Sequence, residues 1–163
     1  MSNKTMKEDT TTTLIQKLST ALEILPPEEL AHLELPLFVP HISAGFPSPA
    51  DDYLEDNINL QQLLIHNPSA TYLLRVRGDS MRDANISDGD ILVVDRSLKP
   101  SNNQIIIGLL NDEFTVKRLV KKGSGEFYLQ PENPKYPPIK ITDDVRFQPW
   151  GVVTWCIHKT KTQ

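Results

Sequence analysis

Cysteine is nearly absent from these 163 residues: Cys156 is the only one. A single thiol closes no disulfide within the chain and builds no cysteine-based zinc site. That fits a reducing compartment, the cytoplasm. Long hydrophobic runs are missing too. Nothing approaches the roughly 18 consecutive apolar residues that read as a spanning helix. The N-terminus has no basic segment followed by an apolar one, so neither a membrane span nor a secretory signal is expected. Positive charge is not in excess either. The net charge is −4, which argues against coating nucleic acid through bulk charge and leaves room only for a local basic patch. Metal-ligand spacing of the HExxH kind does not occur, and there is no internal repeat. Hydrophobic residues make up 39 %, slightly few for a compact globule, so part of the chain is expected to stay unpacked.

What is present falls into two parts. Residues 1–13, MSNKTMKEDTTTT, are polar and threonine-rich, a composition that does not pack. In LIQKLSTALEIL, Leu14, Leu18, Ala21, Leu22 and Leu25 recur at helical spacing and predict a short amphipathic helix stopped by Pro26 and Pro27. Pro27 can open a second short helix through PEELAHLEL. Up to residue 44 the bases are Lys4, Lys7 and Lys17, against Glu8, Asp9, Glu23, Glu28, Glu29 and Glu34, so this arm is net acidic. PLFVPHISAGFPSPADD is punctuated by prolines and reads as extended chain. A short helix is expected in NINLQQLLIHN, capped by Asn57 or Asn59. From Thr71 the texture turns to β. YLLRVR, DILVVD, QIIIGLL, EFTVKRL, EFYLQ and FQPWGVVTWCIH are short β-branched or aromatic runs separated by GDS, SDGD, PSNN, ND, KKGSG and PENP. Six short strands with tight connections predict a compact, strongly bent, mainly-β domain behind the arm.

Two stretches carry residues with chemistry. In RGDSM, residues 77–81, Gly78 makes a turn directly after a strand and presents Ser80 at its end. That is where an acyl-transfer nucleophile and a set of free backbone N–H groups belong, and also where an ordinary polar turn serine sits. In EFTVKRLV, side chains alternate faces. Phe114, Val116, Arg118 and Val120 point one way; Thr115, Lys117 and Leu119 point the other. A lysine at an inward position loses water, which disfavours its ammonium form and lowers its pKa. Lys117 is then either a general base for a serine hydroxyl or a lysine that snorkels to solvent. The basic cluster Arg118, Lys121 and Lys122 reads as a solvated face and turn. His32, His41, His66 and His158 pair with no nucleophile and read as structural or surface residues. Asp79, Asp88, Asp90 and Asp95 invite a metal reading, yet Asp88-Gly89 is explained as a hairpin turn. Cys156 reads as a strand residue.

Taken together, SAGFPSPADDY, GDSM with ISDGDILVVDRS, and EFTVKRL resemble the UmuD/MucA proteins of the SOS mutagenesis response. These belong to the wider LexA-like family of self-cleaving peptidases. The resemblance spans roughly residues 35–157. It implies a LexA/UmuD-like β domain and cleavage between Ala44 and Gly45. It implies Ser80 as nucleophile and Lys117 as general base, with backbone N–H groups around Asp79 and Ser80 as oxyanion hole. Residues 1–44 would be removed and 45–163 kept. It also implies a homodimer, with Val152–Ile157 the candidate interface, a RecA filament on single-stranded DNA as stimulus, and a UmuC-like Y-family polymerase as partner in translesion synthesis. No cofactor and no metal are implied. LexA-type repressors carry a helix-turn-helix before the cleavage site. No recognition helix can be placed in the acidic arm, so sequence-specific DNA binding is not expected. Three alternatives stand beside this reading: a LexA-like regulator or corepressor, a serine-lysine peptidase acting in trans, and a catalytically idle binding domain.

Overall fold

The structure is a computed structural model that describes residues 24–25, 34–38, 54–123 and 125–160; for 24–25, 34–38 and 54–57 it describes the backbone. In chain order the strands are β1 (Ile24–Leu25), β2 (Glu34–Phe38), β3 (Leu54–Asn59), β4 (Thr71–Arg75) and β5 (Ile91–Asp95). They continue with β6 (Ile105–Leu110), β7 (Glu113–Lys122), β8 (Glu126–Gln130), β9 (Ile139–Lys140) and β10 (Phe147–Ile157). One helix, α1 (Leu60–Leu64), lies between β3 and β4. Eight strands form an antiparallel sheet in the order β1-β4-β5-β10-β6-β7-β8-β9, and β2 pairs with β3 in a separate ladder. All six strands expected after Thr71 are present, and the domain is mainly β.

β10 explains how one sheet can bend around a core. Its first half, Phe147 to Val152, pairs with β6, and its second half, Val152 to Ile157, pairs with β5. The register shifts between Pro149 and Gly151 and again between Val153 and Trp155. Such bulges sharpen the local twist, and Pro149 has no N–H for a regular ladder. Adjacent side chains point to opposite faces, and both faces are covered. Ile107 joins Leu74, Val76, Met81, Ile86, Leu92, Val94 and Trp150 in one cluster. Its neighbour Ile106 joins Leu119, Leu129 and Val152 in another. Each fully buried aliphatic side chain contributes about 1.5–3 kcal/mol of burial free energy.

Glycine is required at one point of this junction. A Cβ on Gly151 would lie 2.6 Å from Val94 Cγ1 and 3.3 Å from the Asp95 carbonyl. Val94 is fully buried and has nowhere to go. Gly151→Ala should therefore lower stability by about 1–3 kcal/mol, read as a lower denaturant midpoint. An unchanged midpoint would mean that β5 and β10 separate at no cost.

The turns follow local chemistry. Asn111 and Asp112, both at positive φ (49° and 68°), close the β6–β7 hairpin as a two-residue type I′ turn. Asn59 caps α1 by accepting from Gln62 N at 3.1 Å; Asn57, the other cap considered, lies inside β3.

The helices expected in the arm need correction where the arm is described. Ile24 and Leu25 are strand, paired with Leu74 and Leu73 of β4. Glu34 and Leu35 open β2. Leu25 and Leu35 each precede a proline, and the proline ring pushes the residue before it out of the α region toward extended backbone. Helical spacing of the leucines loses to that restriction at Leu25. The remaining parts of both expected helices, residues 14–23 and 27–33, lie outside the described residues. β3 is a second difference. Leu54–Asn59 pairs with β2, and helix begins only at Leu60.

Candidate active site

Ser80 sits in the turn that leaves β4. Gly78 takes φ +89°, a left-handed conformation, and its N–H donates to Asp88 Oδ1 at 2.7 Å. Met81, 1 % exposed, plugs the first core cluster. The serine is thus fixed between a glycine that allows the turn and a methionine that anchors it. Among the described residues, Ser80 N–H donates to no protein acceptor, while the Asp79 N–H donates to its own carboxylate.

Lys117 lies mid-β7, opposite Ile106. Its Nζ is 3.1 Å from Ser80 Oγ, across 37 residues of sequence. It is also 3.0 Å from Thr115 Oγ1 and 2.8 Å from the Val116 carbonyl. None of the ion pairs among the described residues includes Lys117. Burial pushes its pKa below the ordinary lysine value of 10.5. A neutral amine has two N–H donors and one lone pair. Two donors match Thr115 Oγ1 and the Val116 carbonyl, which leaves the lone pair for the Ser80 hydroxyl proton. The pair can therefore activate an oxygen nucleophile without a histidine.

Thr115 was not singled out in the sequence, although it shares the inward face of β7 with Lys117 at a spacing of two. Arg118, on the opposite face, is not simply solvated. Its Nε pairs with Glu132 and its Nη1 donates to the Asn103 carbonyl at 2.6 Å. Lys121 and Lys122 lie over the Phe127 and Tyr128 rings.

The other candidates go elsewhere. Asp79 Oδ1 accepts from Tyr136 Oη at 2.6 Å, and this bond leads the causes that hold the carboxyl below its usual range. Asp88 binds Gly78 N–H, and Asp95 Oδ1 takes the N–H and hydroxyl of Ser97. Asp90 accepts from Ser87 N–H and faces His158 Nδ1 at 2.7 Å. Asp88 and Asp90 share the turn before β5, and among the described residues no three such side chains are grouped so that they could hold a metal ion. Cys156 lies in β10, and desolvation, followed by the Asp90 charge, pushes its thiol up to about 11. It is not a thiolate near neutral pH. His66 follows α1; His32 and His41 lie outside the described residues, as do Ala44 and Gly45. No helix among the described residues is long and apolar enough to cross a membrane.

A mainly-β domain that brings a turn serine to a desolvated lysine defines the class, a serine peptidase. Residues 36–154 match the Peptidase S24-like family. Protein MucA of Salmonella typhimurium is 46 % identical over 121 residues, covering 74 % of this chain and 82 % of that protein. Protein SamA of Salmonella typhimurium (strain LT2) is 41 % identical over 141 residues, covering 86 % of this chain and 97 % of that protein. The LexA repressor of Acidovorax sp. (strain JS42) is 42 % identical over 137 residues, covering 83 % of this chain and 59 % of the repressor. The chain belongs to the Peptidase S24-like family, as a serine peptidase among its UmuD-like SOS mutagenesis proteins.

Proposed function

We propose that the chain cuts itself between Ala44 and Gly45, with Ser80 as nucleophile and Lys117 as general base. The observation that carries this reading is the 3.1 Å approach of Lys117 Nζ to Ser80 Oγ at a site that disfavours the ammonium. Ser80 Oγ attacks the Ala44 carbonyl carbon while Lys117 Nζ takes the hydroxyl proton. The oxyanion is held by backbone N–H groups at Asp79 and Ser80. Collapse breaks the bond to Gly45, and Lys117 returns the proton to the leaving amine. The ester left on Ser80 is hydrolysed by water that Lys117 deprotonates. The small side chains at Ala44 and Gly45 let the backbone come close.

Residues 1–44 leave and residues 45–163 remain as a homodimer, with Val152–Ile157 the candidate interface through its exposed end, residues 154–157, since Val152 itself is buried in the core. By its kinship, cleavage is stimulated in the cytoplasm by a RecA filament on single-stranded DNA. The product then serves a UmuC-like Y-family polymerase. Incubation with such a filament should accelerate cleavage; an unchanged rate would remove the stimulus from this reading. The LexA likeness favours a second reading, a transcriptional regulator inactivated by the same cut. Clear sequence-specific shifts of SOS promoter DNA in a gel would favour it over the polymerase role.

Thr115→Val removes one acceptor from the Lys117 amine. The ammonium form loses most, so the pH midpoint of cleavage should move down. The less firmly held amine should lower the plateau rate about three- to tenfold. Stopped time courses across pH measure both.

A further inference from the structure

The turn carrying Ser80 is gripped from outside by the loop after β8, residues 131–138. Asn133 is 2 % exposed there. Its Nδ2 donates to the Asp79 carbonyl at 2.9 Å and to Asp79 Oδ2 at 3.1 Å. Its Oδ1 accepts from Lys135 N–H at 3.0 Å. A backbone carbonyl only accepts and a backbone N–H only donates, so these partners fix the orientation of the amide. The preceding residue, Glu132, donates its N–H to the Ser80 carbonyl at 2.8 Å. Its own carbonyl accepts from Asp83 N–H at 2.7 Å.

A peptide unit is planar and trans, so its N–H points opposite to its C=O. The Asp79 carbonyl takes Asn133 Nδ2 from the loop, beside a longer 3.2 Å bond from Arg82 N–H of its own turn, and the Ser80 carbonyl takes Glu132 N–H, so both face the loop. The N–H groups of Ser80 and Met81 therefore point away from the loop, and among the described residues neither donates to a protein acceptor. An oxyanion donor is most effective when its direction is set before the charge appears. Tyr136 adds to the grip by holding Asp79 Oδ1, which keeps that carboxylate on the loop side.

We propose that Asn133 is a positioning residue of the peptidase reaction. By holding the Asp79 carbonyl it aims Ser80 N–H at the point where negative charge develops on the scissile carbonyl oxygen. It acts through the Asp79–Ser80 peptide, and its hydrogen bonds go to neither Ser80 Oγ nor Lys117 Nζ. The proposal rests on the assignment of Ser80 as nucleophile.

The test is the self-cleavage rate of the full chain from pH 7 to 10, with a thermal melt of each variant. Asn133→Ala and Asn133→Asp should lower the high-pH plateau roughly 10- to 100-fold. The pH midpoint, which belongs to Lys117, should stay at the wild-type value. Tyr136→Phe removes one hydroxyl from an exposed ring; it should keep the melt and lower the plateau by a smaller factor. A folded Asn133→Ala with a wild-type plateau overturns the proposal, and so does a shifted midpoint at an unchanged plateau. If neither Asn133 variant melts cooperatively, Tyr136→Phe decides, and a wild-type plateau there overturns it. Ser80→Ala beside them separates the two readings, because cutting in that variant refutes the nucleophile whatever Asn133 does.

Discussion

Ser80→Ala and Lys117→Ala should each reduce self-cleavage by about 10⁴- to 10⁶-fold, which over a day of incubation reads as none. The two losses should not add. A nucleophile and its base act as one unit, so the double variant should be no slower than either single one. The reason is geometric. Ser80 Oγ has Lys117 Nζ at 3.1 Å, and none of the described histidines or carboxylates is hydrogen-bonded to it. Neither substitution should unfold the domain. Ser80 is a turn residue whose neighbour Met81 keeps its place in the core. Lys117→Ala leaves β7 paired to β6 and β8 through the backbone. Intact mass measured over time, beside a thermal melt, checks both points. Cleavage in folded Lys117→Ala at the wild-type rate would assign the proton transfer to another group.

The second large effect is on pH. Burial holds Lys117 below 10.5, and only the neutral amine accepts the serine proton. Below the depressed pKa the cleavage rate should rise about tenfold per pH unit, and above it the rate should level off. Folding stability follows the same group. In the window between the depressed value and the ordinary one, the unfolded chain binds more protons at this lysine than the folded chain does. Stability contributed by this site therefore rises with pH through that window and sits at its lower level below it. Lys117→Met, uncharged and of similar length, should be more stable than wild type near pH 7, and the gap should close towards pH 11. Denaturant midpoints at the two pH values test this. A gap that widens with pH would mean that the fold favours the ammonium, which is incompatible with a base role.

Much of the fold was readable because its signals are local. Runs such as DILVVD and QIIIGLL are too short for helices and are bounded by Asp-Gly, Asn-Asp and Pro-Ser-Asn-Asn turns. Their pairing order then follows from short connections. β3 was not readable. LEDNIN has little strand propensity, and it pairs with β2 across a long intervening segment. β1 was misread because leucine spacing suggested a helix, while Pro26 and the free edge of β4 favour extended backbone.

At the site, Ser80 and Lys117 were visible because a Gly-turn-Ser and an inward lysine on a strand are short patterns. Thr115 was within reach of the same alternation. Asn133 and Tyr136 were not. PENP reads locally as a turn, and their value depends on Asp79, 54 and 57 residues away. Only a tertiary contact discloses it. Lys117's loss of water likewise comes from the packing around β7, which a strand pattern implies but does not measure.

The most direct measurement is the mass of what the purified wild-type chain becomes at pH 10. Two complementary fragments are expected, residues 1–44 ending in Ala44 and residues 45–163 beginning with Gly45, with neither appearing in Ser80→Ala. A chain that stays whole, or breaks at another bond, or breaks equally well without the serine, would contradict the assignment of Ser80 and Lys117 to Ala44–Gly45.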